Sequence, residues 1–233
     1  MTVSAEETVE ERIDRLAPIK DGEAYTYKEK PVYDFFKRAF DLLFSVLATA
    51  VLSPLLLVIT VCVFFEDFHN PFYLQERIKK NHKTFKIIKF RSMKPNADKL
   101  IDQLPDELRY EYQHNFKIDN DPRITRIGRV IRRTSLDELP QLINIIKGDI
   151  SLIGPRPILE EETRMYGENA ELLLSVKPGL TGYWQAYSRE QISYDNGDRQ
   201  RIELYYVCNR SFSLDLRIFF KTIGTVLRRT GAK

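Results

Sequence analysis

Cysteine, histidine and tryptophan are scarce in this 233-residue chain, at two, three and one copies. Cys62, in an apolar run, and Cys208, beside Tyr205 and Tyr206, are too few and too far apart for a disulfide framework or a CxxC metal site, and they fit a reducing, cytosolic setting. His69, His82 and His114 lack metal-ligand spacing, and none is assigned a role. A secretory signal is also missing: the N-terminus carries Glu6, Glu7, Glu10 and Glu11 without a basic region leading into an apolar core, so export is not expected. No internal repeat or low-complexity segment is evident.

Charge of one sign is absent in one place and charge of both signs in another. Thirty-six Lys and Arg against 33 Asp and Glu leave a net +3, which demands no polyanionic partner. Residues 77–94 nevertheless hold Arg77, Lys79, Lys80, Lys83, Lys86, Lys89, Arg91 and Lys94 and no acid, a run that suits phosphate or anionic lipid headgroups as well as a solvated face. Nucleic acid is not expected, since no recognised binding motif accompanies it.

Residues 42–65, LLFSVLATAVLSPLLLVITVCVFF, carry no charge over 24 positions. As a helix this stretch measures about 36 Å, more than the roughly 30 Å hydrocarbon core of a bilayer, so membrane insertion is expected; a buried core helix rarely needs so long an uncharged run. Ser53-Pro54 falls at its midpoint, where proline removes a backbone donor and clashes with the preceding turn. Each half reaches only about 18 Å, enough to enter one leaflet and return. Lys28, Lys30, Lys37 and Arg38 before the stretch and the basic run after it mark both flanks as cytoplasmic. A re-entrant hairpin satisfies both flanks, with the Ser53 hydroxyl pairing part of the turn; a kinked spanning helix would pair its backbone more simply.

Outside this segment, Val9, Ile13 and Leu16 make a short helical stripe, after which Pro18, Gly22 and Pro31 interrupt, so residues 1–36 read as a helix and linker without chemistry. FYL and TFKIIKF within residues 72–93 read as strands, and residues 97–117 as polar helix. Pro140, QLINIIK and Gly148 spell a helix with proline at its start and glycine past its end. Leu216, Phe219, Phe220, Ile223, Val226 and Leu227 form an apolar stripe opposite Lys221, Arg228, Arg229 and Lys233, either a core helix or one lying on the membrane surface.

The chemistry-bearing candidates are few. Asp137-Glu138 in TSLDELPQL can be helix-start acids, with Ser135 and Glu138 matching a capping box; alternatively, one carboxylate attacks phosphorus while its neighbour helps hold a hard divalent cation such as Mg²⁺. Gly154-Pro155-Arg156-Pro157 is a surface turn or a stiff loop presenting a guanidinium fork to phosphate. Lys89-Phe90-Arg91-Ser92-Met93 sets cations beside an aromatic ring, and Lys177-Pro178-Gly179-Leu180-Thr181-Gly182 is a turn-rich loop open to backbone approach by a ligand.

Taken in order, KRAFDLLFS, the Ser-Pro break, IIKFRSM, DPRITRIGRVIRRTSLDELPQLINIIKGDISLIGPRP and VKPGLTGYWQ closely resemble the bacterial sugar transferase family, the monotopic phosphoglycosyl transferases, from about residue 31 onward. The resemblance implies an enzyme using a UDP-sugar, undecaprenyl phosphate and Mg²⁺, with a re-entrant membrane helix broken at Ser53 and Pro54. It implies Asp137 as nucleophile, Glu138 as its partner at the metal, and Arg156 as a phosphate ligand. Lys89 and Arg132 match basic positions near the site. Lys79 and His82 stand where relatives often carry glycine or another small residue, and Glu203 where some carry aspartate.

The expected architecture is α+β, mainly helical: an extension (1–36), a re-entrant membrane helix hairpin (37–68) and a small catalytic domain (69–233) with interfacial amphipathic helices on the cytoplasmic face of the cell membrane. Membrane lipid is an expected partner, a homodimer is left open, and the chain looks like the small form of the family with an added soluble extension. Two rival readings remain: a metal-dependent glycosyltransferase using Asp119-Asn120-Asp121, which would release UDP, and an inactive membrane-tethered interaction module. No nucleotide-binding βαβ unit supports the first, and the intact Asp-Glu and Pro-Arg-Pro elements oppose the second.

Overall fold

Proline at the first helical position and a left-handed residue at the end, Phe68 with φ 58°, delimit the longest element, helix α2 (Pro31–Asp67). It begins six residues earlier than expected. The computed structural model containing it describes residues 9–18, 25–97, 99–115, 118, 121–187 and 197–227. One face of α2 carries Phe44, Ala48, Leu52, Leu56, Ile59 and Val63 against the rest of the molecule. The other is apolar and uncovered, with Val51 76% exposed and Phe35, Leu43, Leu57 and Phe65 likewise open. Water does not tolerate so large a continuous apolar face, and a bilayer does.

The backbone remains helical through Ser53 and Pro54, with no loop between the two expected halves. Pro54 deprives the Ala50 carbonyl of its helical donor, and the Ser53 hydroxyl donates to that same carbonyl at 2.8 Å. The serine thus replaces the bond that the proline removes, and the helix persists.

Both ends of α2 are tied to one body. Near its start, Arg38 donates to the Ile145 and Ile146 carbonyls at 2.6 and 2.9 Å, and Asp41 accepts the Leu152 N–H at 3.1 Å. At its finish, Glu66 accepts the Ile127 N–H, and Asp67 binds Arg91 through both oxygens at 2.5 and 2.6 Å.

That body is α+β and mainly helical. Strands β1 (Phe72–Lys79) and β2 (Lys83–Phe90) form an antiparallel hairpin with Tyr73 opposite Lys89 and Lys79 opposite Lys83. Asn81 and His82, at φ 61° and 56°, close its tip, so the left-handed geometry falls on them rather than on Lys79. Helices α3 (Asp106–Asn115), α4 (Arg126–Arg133) and α5 (Gln141–Lys147) follow, α5 ending at left-handed Gly148 as expected. Strands β3 (Ser151–Ile153) and β4 (Gly179–Thr181) pair in parallel, with α6 (Ala170–Leu173) between them in sequence. Helices α7 (Tyr183–Tyr187), α8 (Asp198–Asn209) and α9 (Phe212–Leu227) complete the body, and α1 (Val9–Leu16) packs on it.

The expected apolar stripe of α9 is divided. Ile218 is fully buried and Phe219 packs on Phe44, whereas Phe212, Leu216, Phe220 and Ile223 are exposed beside the uncovered face of α2. Arg228, Arg229 and Lys233 lie outside the described residues.

Asp215 joins α2, α8 and α9. One oxygen accepts from the Tyr33 hydroxyl and Lys37, both at 2.7 Å, and the other from the buried Tyr206 hydroxyl at 2.8 Å. Tyr206→Phe keeps the ring and strips a donor from a buried carboxylate oxygen, so it should cost about 1–3 kcal/mol. A lower unfolding midpoint in detergent checks this, and an unchanged midpoint would show the junction to be dispensable.

Candidate active site

The side chain of buried Asn144 behaves like an added strand residue: it donates to the Lys86 carbonyl at 2.8 Å and accepts the Ile88 N–H at 2.9 Å. This locks α5 against β2. The turn just before α5 (Leu136–Glu138) is thereby set beside the last residues of the strand. Lys89 Nζ then meets Glu138 Oε1 at 3.1 Å.

Arg132 arrives from a different direction. Thr125 caps α4 by accepting the Gly128 N–H at 2.9 Å, and its own N–H donates to the Ser92 carbonyl. A β-carbon on Gly128 would lie 2.0 Å from that Ser92 oxygen, so only glycine lets α4 seat so close. Arg132 Nε consequently donates to Ser92 Oγ at 2.7 Å. Four of the expected residues, Asp137, Glu138, Lys89 and Arg132, are thus assembled from β2, α4 and the turn.

The capping box expected of Ser135 and Glu138 does not form. Ser135 adopts a left-handed conformation, φ 55°, without a side-chain cap, and Glu138 is drawn to Lys89 instead.

Burial, and next the negative charge of Glu138, push the Asp137 carboxyl up to about 6, against the opposing pull of Lys89 and Arg132. Burial also weakens the hold of Arg132 on its proton, an effect that Asp137 and then Asp121 offset only in part. Two crowded carboxylates flanked by two cations form a site that gains from added positive charge. Their hard oxygen donors are of the kind Mg²⁺ takes, but the described residues hold no group of three acidic, histidine or cysteine side chains, so an ion here would need ligands from elsewhere.

Arg156 lies on the loop that follows β3. Its backbone N–H reaches Glu203 Oε1 at 3.4 Å, and its buried Nε has no hydrogen-bond partner. No hydrogen bond joins it to Asp137 among the described residues. The loop is held by backbone proximity: a β-carbon on Gly179 would lie 2.1 Å from Gly154 N, and one on Gly182 2.1 Å from Gly154 O. The Lys177–Gly182 glycines therefore admit the Arg156 loop, which corrects their reading as a place for a ligand. Sequence reasoning missed Glu203 as a support. This fully buried carboxylate also accepts from the Tyr166 hydroxyl and pairs with Arg199 at 3.5 Å.

The acid-free run is less free than it reads. Arg77 pairs with Glu162 at 3.0 Å, Lys79 with Asp149 at 2.5 Å, Lys89 with Glu138 and Arg91 with Asp67. Lys83, Lys86 and Lys94 are exposed. Asp119 and Asn120 of the rival metal motif lie outside the described residues, and both carboxylate oxygens of buried Asp121 are taken by Arg123.

Residues 32–229 match the model of the family described as bacterial sugar transferase. The chain belongs to that family. It is 42% identical over 206 residues to the exopolysaccharide production protein ExoY of Sinorhizobium fredii, covering 87% of this chain and 90% of the relative. It is 42% identical over 201 residues to an undecaprenyl-phosphate galactose phosphotransferase of Salmonella typhimurium, covering 85% of this chain but 42% of that protein. An uncharacterized sugar transferase of Haemophilus influenzae is 45% identical over 199 residues, covering 84% of this chain and again 42% of the relative. The chain therefore spans under half the length of some family members and nearly all of others.

The raised proton affinity of Asp137 has a sign that can be checked. Its folded value, about 6, exceeds the ordinary 3.8, so the ionised group opposes folding. That cost is absent below about pH 4, grows as pH rises to about 6 and is then constant, on the order of 3 kcal/mol. Asp137→Asn should raise the thermal midpoint at pH 8 by a few degrees and leave it unchanged near pH 4. A lower midpoint at pH 8 would show that the site does not crowd these charges.

Proposed function

We propose that this protein transfers a sugar 1-phosphate from a UDP-sugar to undecaprenyl phosphate, releasing UMP and forming undecaprenyl diphosphate sugar, the opening step of a surface glycan. The observation that carries the reading is the pairing of half-buried Asp137 with Glu138 between Lys89 and Arg132, beside the end of an apolar helix. The named activity of the Salmonella relative and the exopolysaccharide role of ExoY support it.

In the first displacement an Asp137 oxygen attacks the β-phosphorus; the bond to the bridging oxygen breaks and UMP departs with the electron pair. In the second, an oxygen of the lipid phosphate attacks the same phosphorus and the carboxylate is regenerated. Lys89 holds Glu138 while Arg132 faces Asp137, so both cations offset charge that would otherwise repel an anionic nucleophile from a diphosphate. Arg156, with an unpartnered buried Nε on a loop stiffened by two prolines, is the proposed ligand for a substrate phosphate. Mg²⁺, held by Asp137 and Glu138, would supply further positive charge at the transferring phosphoryl group.

The same reading accounts for α2. A helix whose two ends bind one small domain presents both ends on the same side of a bilayer, which favours a re-entrant, monotopic placement on the cytoplasmic face. The exposed faces of α2 and α9 would meet lipid together.

Two measurements test this. With UDP-sugar and Mg²⁺ but no acceptor, intact-protein mass should rise by one sugar phosphate mapped to the Asp137 peptide; Asp137→Asn should remove the adduct and lower turnover by orders of magnitude. Rapidly quenched samples that stay unmodified, with UMP appearing only when acceptor is present, would favour direct transfer. Separately, single cysteines at positions 34 and 75, in a chain lacking Cys62 and Cys208, should both be shielded from an impermeant thiol reagent in intact cells. Labelling of only one from outside would establish a spanning helix.

A further inference from the structure

Helix α1 precedes the family match, which begins at residue 32, yet its apolar side chains are buried against the body. Ile13, Leu16 and Ala17 are at most 3% exposed and form one cluster with Trp184 of α7 and Ile202 of α8. The Tyr183 hydroxyl donates to the Leu16 carbonyl at 3.0 Å, and Arg201 pairs with Asp14 at 2.9 Å. The cluster thus bridges α7 and α8 through a segment from the extension.

From Trp184 a chain of buried contacts leads to the Arg156 loop. The Arg199 guanidinium lies 4.1 Å from the centre of the Trp184 ring. Arg199 pairs with Glu203, and Glu203 accepts the Arg156 N–H. Arg199 and Glu203 are 2% and 1% exposed, so neither can shift without leaving a buried charge unpaired. Arg156 itself has a buried nitrogen with no partner, leaving its orientation to its loop and to Glu203.

We propose that α1 is a positioning element for the Arg156 loop, acting through Trp184, Arg199 and Glu203. This rests on the reading of Arg156 as a ligand for a substrate phosphate. Docked, α1 presses Trp184 against Arg199 and holds the Glu203 carboxylate where it fixes the loop. Undocked, it leaves the loop free to shift and the donor diphosphate more weakly gripped.

Trp184 is the only tryptophan, so intrinsic emission reports docking directly. In the full-length protein in lipid nanodiscs, Ile13→Asp/Leu16→Asp should shift emission to the red and raise acrylamide quenching. It should also lower kcat/KM for the UDP-sugar, read as UMP release, by about fivefold or more, the size of coupling that packed networks carry. Added to Arg156→Lys, it should cause little further loss, because both act on one group. Exposure of Trp184 with kcat/KM unchanged, or losses that multiply, would overturn the proposal. If the double variant does not fold, Ile13→Ala replaces it: partial exposure should bring partial loss, and exposure without loss overturns the idea. A parent that releases no UMP sinks the reading of the whole site, whereas an active parent unimpaired by Arg156→Lys sinks the Arg156 assignment and this proposal with it, leaving the transfer reaction standing.

Discussion

The attachment of α2 at both ends governs this molecule. A helix of 37 residues with an open apolar face would ordinarily be tethered to its domain by one end. Here Arg38 and Asp41 hold α5 and β3, and Glu66 and Asp67 hold α4 and the residue following β2. These are the elements on which the carboxylate turn rests. The position of the carboxylate turn is consequently fixed relative to the apolar helix.

Electrostatics decides how that site behaves. Asp137 and Glu138 are neighbours in sequence and cannot separate, so burial raises the cost of ionising both. The fold answers with one cation from β2 and one from α4, delivered by Asn144 and by the close seat of Gly128 on Ser92. The arrangement offsets the charge only partly, since Asp137 still holds its proton more tightly than an ordinary aspartate. A carboxylate in that state is well suited to binding cations and electrophilic phosphorus. The cations of residues 77–94 divide accordingly: some are bound to acids from distant parts of the chain, while Lys83, Lys86 and Lys94 face solvent.

Much was legible in the sequence because it rests on local rules. Hydropathy alone identifies the apolar helix, β-branched and aromatic runs identify the hairpin, and proline before with glycine after delimits α5. The long block around Asp137 is specific enough to declare its family. Where local rules misled, a longer-range partner prevailed. Pro54 reads as a break, but the Ser53 hydroxyl restores the missing bond. Ser135 and Glu138 read as a capping box, but Lys89, 49 residues earlier, claims the glutamate. The glycines of residues 177–182 read as a ligand loop, but the backbone of Gly154 occupies the space they leave.

The sequence by itself determined that the chain carries one long apolar helix, that it is α+β and mainly helical, and to which family it belongs, since each depends on composition or on a contiguous block of residues. Tertiary structure alone decided that Lys89 and Arg132 flank that pair while Arg156 leans on Glu203. It alone made the expected helix of the extension part of a buried cluster, by closing Ile13 and Leu16 over Trp184. Those outcomes depend on residues far apart in the chain and on which buried charge finds a partner, and a pattern of 20 letters read along one dimension contains no distance between them.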